Sequence, residues 1–296
     1  MHKFGGKHTD EKLDKLSEYI EVYTTALKKR KFQLLYIDAC AGTGDRTTVL
    51  NLGPIFGNKN QIITTPGSAR IALENEPSFD VHVFIERNKE RYCQLKVVEQ
   101  QYPHKKCKLC EGDANDFVSR LCTKIPWHEP TNSRIGMRGV IFLDPFGMEI
   151  NWKTIECIGN TKALDAWIFF PLSGLYRNAP HDKLNLSESK IDSVTRVLGT
   201  DSWLDDWYSN SSSGEEDLFG NIEPSKQIRT LDVTGIEQYV RKRLKTVFKG
   251  AVLKPMRIKN EQGAPIASLF FCVANETPKA IGAATRIANH ILKSGM

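Results

Sequence analysis

The nine residues from Tyr36 to Gly44, Y-I-D-A-C-A-G-T-G, constrain this chain more than any other stretch. They close the run Phe32, Leu34, Leu35, Tyr36, Ile37, which is short, apolar and ended by glycines, and so reads as a buried parallel strand entering a tight turn. Strand, glycine turn and helix in succession form a nucleotide-binding layout. Gly42 and Gly44 let the backbone turn sharply and approach a ligand closely. Asp38, at the strand's carboxyl end, supplies an acceptor for a cationic or hydroxylated group. The spacing is not G-x-G-x-x-G, and the acid precedes the glycines on the strand itself, which disfavours an NAD-binding oxidoreductase. The bland alternative is a structural strand-to-helix turn with no ligand.

Further strands ending in acids follow. Residues 10–30 carry Leu13, Leu16, Tyr19, Ile20, Tyr23 and Leu27 at helical spacing, with Thr9 or Asp10 as N-cap and the basic run Lys28 to Lys31 at the end. Residues 45–66, rich in Asn, Gly and Thr, read as a long loop. Val81, Val83, Phe84 and Ile85 make a second strand ending at Glu86, a fixed bidentate acceptor of the kind that two ribose hydroxyls need. A short third strand at Lys108 and Leu109 leads to Asp113 and Ala114, where the acid suits either an adenine amine or a helix cap. Gly139 to Leu143 is the strongest strand and ends in Asp144, Pro145, Phe146, Gly147. Pro145 fixes that turn, which aims the Asp144 side chain into the space beyond the strand, and Phe146 offers a flat apolar surface there unless it lies in the core. A fifth strand, Ala166 to Phe170, continues the alternation.

The remainder closes the domain. Residues 176–230 break the pattern, with a helix at Leu184 to Val197, an aromatic cluster at Trp203, Leu204, Trp207 and Tyr208, and a polar, mobile stretch at Ser209 to Asp217. We read this as an insertion over the functional face. Ala251 to Ile258 and Ile266 to Ala274, joined at Asn260 to Gly263, read as a β-hairpin between two helices. The organisation expected is a helical segment at 1–31, a Rossmann-like core at 32–175, the insertion at 176–230, and a helix, hairpin and helix at 231–296 completing the core.

Composition excludes several classes. A net charge of +6 tolerates a polyanionic partner without marking a dedicated nucleic-acid module. Seven irregularly spaced cysteines argue against a disulfide framework and for a reduced, cytoplasmic setting. Cys107 and Cys110 form one C-x-x-C without a second pair, so no metal site is expected. No apolar run is long enough to span a membrane, and the polar start from Met1 to Thr9 is not a signal peptide.

A glycine turn after the first strand, acids after the second and third, D-P-F-G after the fourth and a terminal hairpin together resemble the class I S-adenosylmethionine methyltransferase fold. That fold implies a mostly parallel seven-stranded sheet with a C-terminal antiparallel hairpin, here with a helical insertion. More narrowly, H-T-x-x-K-L-x-x-L-x-x-Y-I from His8 to Ile20, Y-I-D-A-C-A-G-T-G, P-G-S at 66–68, F-I-E at 84–86 and L-D-P-F-G at 143–147 resemble the three-Cys-motif partner (TcmP) family. The resemblance implies a methyltransferase-like protein that uses S-adenosylmethionine and accompanies a separate protein carrying three cysteines. It would place Asp38, Ala41, Gly42 and Gly44 at the methionine and sulfonium end, Glu86 at the ribose, and Asp113 with Ala114 at the adenine. Asp144, Pro145 and Phe146 would form the transfer site, similar to the D-P-P-Y/F box of nucleic-acid amino methyltransferases. Phe146 stands where that box has its second proline and Gly147 where it has its aromatic. The expected function is therefore methylation of an amino group on nucleic acid, and the rival is a non-catalytic, cofactor-binding scaffold of the partner.

Overall fold

Helix α1 (Lys7–Leu27) runs into strand β1 (Gln33–Asp38), whose residues from Leu34 onward are all buried. The computed structural model describes residues 7–51, 60–131, 133–211, 226–260 and 262–293. Because the helix is already formed at Lys7, Thr9 and Asp10 lie inside its first turn rather than capping it.

After the glycine turn comes an antiparallel ribbon, β2 (Asp45–Asn51) with β3 (Asn60–Pro66), in place of the loop expected there. Thr47, Thr48 and Val49 stand in register with Thr64, Ile63 and Ile62, and such facing β-branched residues favour strand pairing over loop. Residues 52–59 lie outside the described ones.

The alternation then proceeds as α2 (Ser68–Glu74), β4 (Val81–Glu86), α3 (Lys89–Gln100), β5 (Cys107–Glu111), α4 (Ala114–Lys124), β6 (Met137–Leu143), α5 (Trp152–Asn160) and β7 (Leu164–Phe170). The stretch that breaks the pattern contains α6 (Leu172–Asn178), α7 (Glu188–Leu198), the short α8 (Trp203–Asp206) and a small ribbon, β8 (Tyr208–Asn210) with β9 (Gln227–Arg229). Residues 212–217 of the polar segment expected to be mobile lie outside the described ones. Helix α9 (Val233–Val247), strands β10 (Ala251–Val252), β11 (Met256–Lys259) and β12 (Pro265–Val273), and helix α10 (Pro278–Lys293) end the chain.

The main sheet has the order β5, β4, β1, β6, β7, β12, parallel except for β12, with β10 and β11 both on the outer edge of β12. This is the Rossmann-like class I methyltransferase topology, with eight strands rather than the expected seven. The extra strand arises by interruption. From Val252 to Met256 is four steps, whereas their partners Cys272 and Leu269 are three apart, so one surplus residue bulges between β10 and β11. Pro255, which has no N–H to give the ladder, lies in that gap.

Period-two alternation sends side chains to two layers. Leu35 and Ile37 of β1 join a core built with α4, α5, α7 and α9, while Leu34 and Tyr36 join one built with α1, α2 and α10. Cys107 and Cys110 of β5 fall into opposite layers, so they cannot share a ligand. In the second layer Tyr19 packs its ring 4.7 Å from Phe271 and donates to Asp165 Oδ2 at 2.7 Å, which ties α1 to β7 and β12. Among the described residues no helix is long and apolar enough to cross a membrane.

Candidate functional site

All the parallel strands end at one edge, and the residues singled out by sequence stand along it. Gly42 and Gly44 have φ of 63° and 82°, the left-handed region in which a side chain is strained. A Cβ on Gly42 would meet nothing within 4 Å among the described residues, which leave this backbone open, whereas one on Gly44 would press on Val98 and Leu95. The P-G-S stretch has a steric reason, since a Cβ on Gly67 would lie 2.7 Å from the Gly44 carbonyl oxygen. Glu86 is drawn into the same turn. Its Oε2 accepts from Gly42 N at 2.9 Å and its Oε1 from Asn88 N at 2.7 Å, which fixes the carboxylate plane against the turn.

Asp38 is fully buried, accepts from Cys40 N through Oδ1 at 3.2 Å, and has no hydrogen-bond partner at Oδ2 among the described residues. Burial pushes its carboxyl up to about 7, the charges of Asp144 and Glu86 add to that, and the nearby Ser68 hydroxyl and the Cys40 N–H oppose it. The Cys40 thiol is raised far above its ordinary value by burial and by Asp38, Asp144, Glu149 and Glu86, so it is no nucleophile. Four carboxylates thus surround one turn. Two cations answer them: Lys12 Nζ at 2.5 Å from Asp144 Oδ2, and Arg87 at 2.7 Å from Glu149. Among the described residues no group of acids, histidines and cysteines is placed to hold a metal ion.

Farther along the edge, Asp113 is the N-cap of α4, accepting from Asn115 N at 2.8 Å, and Ala114 is the first residue of that helix. The cap is therefore present, and the outer oxygen of Asp113 lies 3.9 Å from Arg87. Pro145 and Phe146 follow β6, and Phe146 is 64% exposed, which removes the alternative that its ring lies in the core. Gly147 turns at φ 75°.

Several residues that the sequence reading did not single out hold this loop. Asn115 Nδ2 donates to the Glu149 carbonyl, and Asn115 Oδ1 accepts from Asn151 N and Thr154 Oγ1. Arg196 of α7 donates to the Met148 carbonyl at 2.7 Å and to Asn151 Oδ1 at 2.8 Å, so the insertion braces the segment after D-P-F-G. Lys12 had a signal, because it lies in the apolar stripe of α1, four residues before Leu16 and seven before Tyr19. Arg87, Asn115 and Arg196 had none.

The strand order with its reversed β12 defines the class by fold: a Rossmann-like methyltransferase-type domain. Among solved structures, protein LPL1258 of Legionella pneumophila, family DUF519, matches with a TM-score of 0.51 over 99% of this chain and 95% of its own, at 13% identity, a likeness of fold alone. Trm1 of Pyrococcus horikoshii, solved with S-adenosyl-L-methionine, matches at a TM-score of 0.34 and 12% identity over 96% of this chain and 75% of its own. TYW2 of M. jannaschii, solved with AdoMet, matches at 0.33 and 9% identity over 91% of this chain and 76% of its own. No family model and no curated protein matches the chain.

Proposed function

We propose that this chain is an S-adenosylmethionine-dependent methyltransferase acting on an amino group of nucleic acid, in company with a three-Cys-motif protein. The observation that carries the reading is the buried Asp38 Oδ2, which has no hydrogen-bond partner among the described residues, at the end of the strand that leads into the Gly42 turn. An unpartnered buried acceptor is costly unless a ligand donates to it. The residues fit the cofactor: Asp38, Ala41, Gly42 and Gly44 would hold its cationic end, Glu86 the ribose and Asp113 with Ala114 the adenine. Glu86 keeps acceptor capacity on both oxygens after its two backbone bonds. When bound, the cofactor supplies an activated methyl on a sulfonium, so the protein's task is to align the acceptor and exclude water.

Asp144 would take a hydrogen bond from the target amine, orient its lone pair and accept its proton late. The exposed Phe146 ring offers a face on which a base can stack. A base within a duplex must first leave the stack, at roughly a few kcal/mol.

One observation favours a second reading, a scaffold that binds the cofactor without turnover: Lys12 already occupies Asp144 Oδ2. Calorimetric cofactor binding, followed by tritiated-methyl transfer to nucleic-acid and protein fractions with and without the partner, separates the two. Binding with transfer to nucleic acid is expected. Binding without transfer to any fraction leaves the scaffold, and no binding of S-adenosylmethionine overturns both.

A further inference from the structure

Lys12 belongs to a motif of the chain that the proposed function leaves unused. Its ammonium lies 2.5 Å from Asp144 Oδ2 and 4.5 Å from the centre of the Phe169 ring, and only 10% of its side chain is exposed, against 24% for Asp144. Lysine ordinarily keeps its charge in water, and here α1 spends a position of its apolar stripe on bringing that charge to the end of β6. Asp10, two residues earlier, is paired with Arg46 of the ribbon at 2.7 Å, and Tyr19 is bonded to Asp165, so the helix is anchored on both sides of Lys12.

On the methyltransferase reading above, we propose that Lys12 is a positioning residue for the transfer step. Its ammonium fixes the Asp144 carboxylate through Oδ2, so that the other oxygen meets the target amine in one orientation. A carboxylate turns about a broad, two-fold torsion and offers about four lone-pair sites, so a partner held on one oxygen selects where the second points. Displacing Lys12 with an uncharged amine would strand a part-buried carboxylate, at a factor of roughly 10² to 10³, so the ammonium stays in place as the substrate enters. The Phe169 face borders the same ammonium and complements its positive charge. In the transfer, the amine lone pair forms the N–C bond and the C–S pair leaves with sulfur as a neutral thioether. The surplus N–H proton passes to Asp144 and on to water, while Lys12 keeps its protons and is not the acceptor.

The test is single-turnover transfer of a tritiated methyl group to total cellular nucleic acid, and calorimetric S-adenosylmethionine affinity, for the full chain, comparing Lys12→Met, Lys12→Gln and Lys12→Arg. Lys12→Met should slow transfer about 100-fold while cofactor affinity stays within about threefold. Lys12→Gln, which keeps a donor and loses the charge, should be nearly as slow and covers the case in which the methionine variant does not fold. Lys12→Arg should recover transfer to within about tenfold of the wild type, which general damage to packing would not permit. Wild-type rates in Lys12→Met or Lys12→Gln, or a loss of cofactor affinity parallel to the loss of rate, overturn the positioning role alone. Absence of transfer by the wild-type chain overturns the methyltransferase reading and this role with it.

Discussion

The two halves of the candidate site are built in different ways. At the ends of β1 and β4 the parts come from short contiguous stretches, and a single bond from Gly42 N to Glu86 Oε2 at 2.9 Å closes them into one cradle. At the ends of β6 and β7 the parts come from afar: Lys12 reaches Asp144 across 132 residues of sequence, and Arg196 reaches the Met148 carbonyl across 48. The first half is shaped by backbone, with positive φ at two glycines, while the second is held by side chains from α1 and α7. A ligand of constant shape can be met by a locally encoded turn. Orienting an acceptor requires groups that only the packed fold brings together.

The largest effect expected from breaking this contrast is at Asp144. On the proposed function, Asp144→Ala should lower single-turnover transfer by roughly 10³ while leaving cofactor affinity within about threefold, because the residue touches the acceptor and not the cradle. Retention of the wild-type rate would make D-P-F-G a structural turn. Next is Gly42→Val, which places a branched side chain at φ 63° in the open space beside the turn. It should weaken cofactor binding about 100-fold and remove the cofactor's thermal shift, with the circular dichroism of the folded chain kept. An unchanged thermal shift would place the cofactor elsewhere.

That contrast is also the line between what the sequence showed and what it hid. Four of the parallel strands and the terminal hairpin were legible because largely buried strands read as apolar runs, the edge strand β5, mostly unburied, showed only at Lys108 and Leu109, and Asp38, Gly42, Gly44 and Glu86 stood out because strand ends and glycines mark themselves. The β2 and β3 ribbon was not legible, since its apolar residues come only as the short pairs Val49, Leu50 and Ile62, Ile63 among Thr, Asn and Gln. Nor was the break at Pro255, which splits one sheet position into two strands. Lys12 is a cation in an apolar stripe, a signal the sequence reading passed over, and its partner left no mark at all, because a helix pattern gives the face and not the strand beneath it.

A pH experiment sharpens the cradle half. The Asp38 carboxyl stands at about 7 in the fold, against about 3.9 in an unfolded chain. Between those values the folded state binds more protons than the unfolded state, so Asp38 makes the cofactor-free protein less stable as pH rises from 4 to 7, with no further loss above. Asp38→Asn should flatten that part of the profile, gaining a few kcal/mol, up to roughly 4, relative to the wild type at pH 8 over pH 4. Asp165, also near 7, titrates in both proteins and cancels in the comparison. Cofactor affinity of the wild type should move the other way, rising with pH through 7 as the carboxylate facing the cationic end ionises. Parallel stability profiles for the two proteins would show that Asp38 is charged without penalty and that no cation is needed beside it.

The smallest effect belongs to the transfer half, at Phe146. Phe146 is 64% exposed, so its truncation should lower the melting temperature only slightly. If the ring carries a base, Phe146→Ala should weaken nucleic-acid binding by about 1 kcal/mol, the low end for a stacked base, because an exposed side chain gives back part of the gain in lost rotamer freedom. Cofactor affinity should not change, since Phe146 is not among the residues proposed to hold the cofactor. Fluorescence anisotropy with single-stranded oligonucleotides reads the first quantity and calorimetry the second. Equal oligonucleotide affinity in the two proteins would move base recognition off the D-P-F-G loop, and Asp144 would then serve an acceptor amine that does not come with a stacking ring.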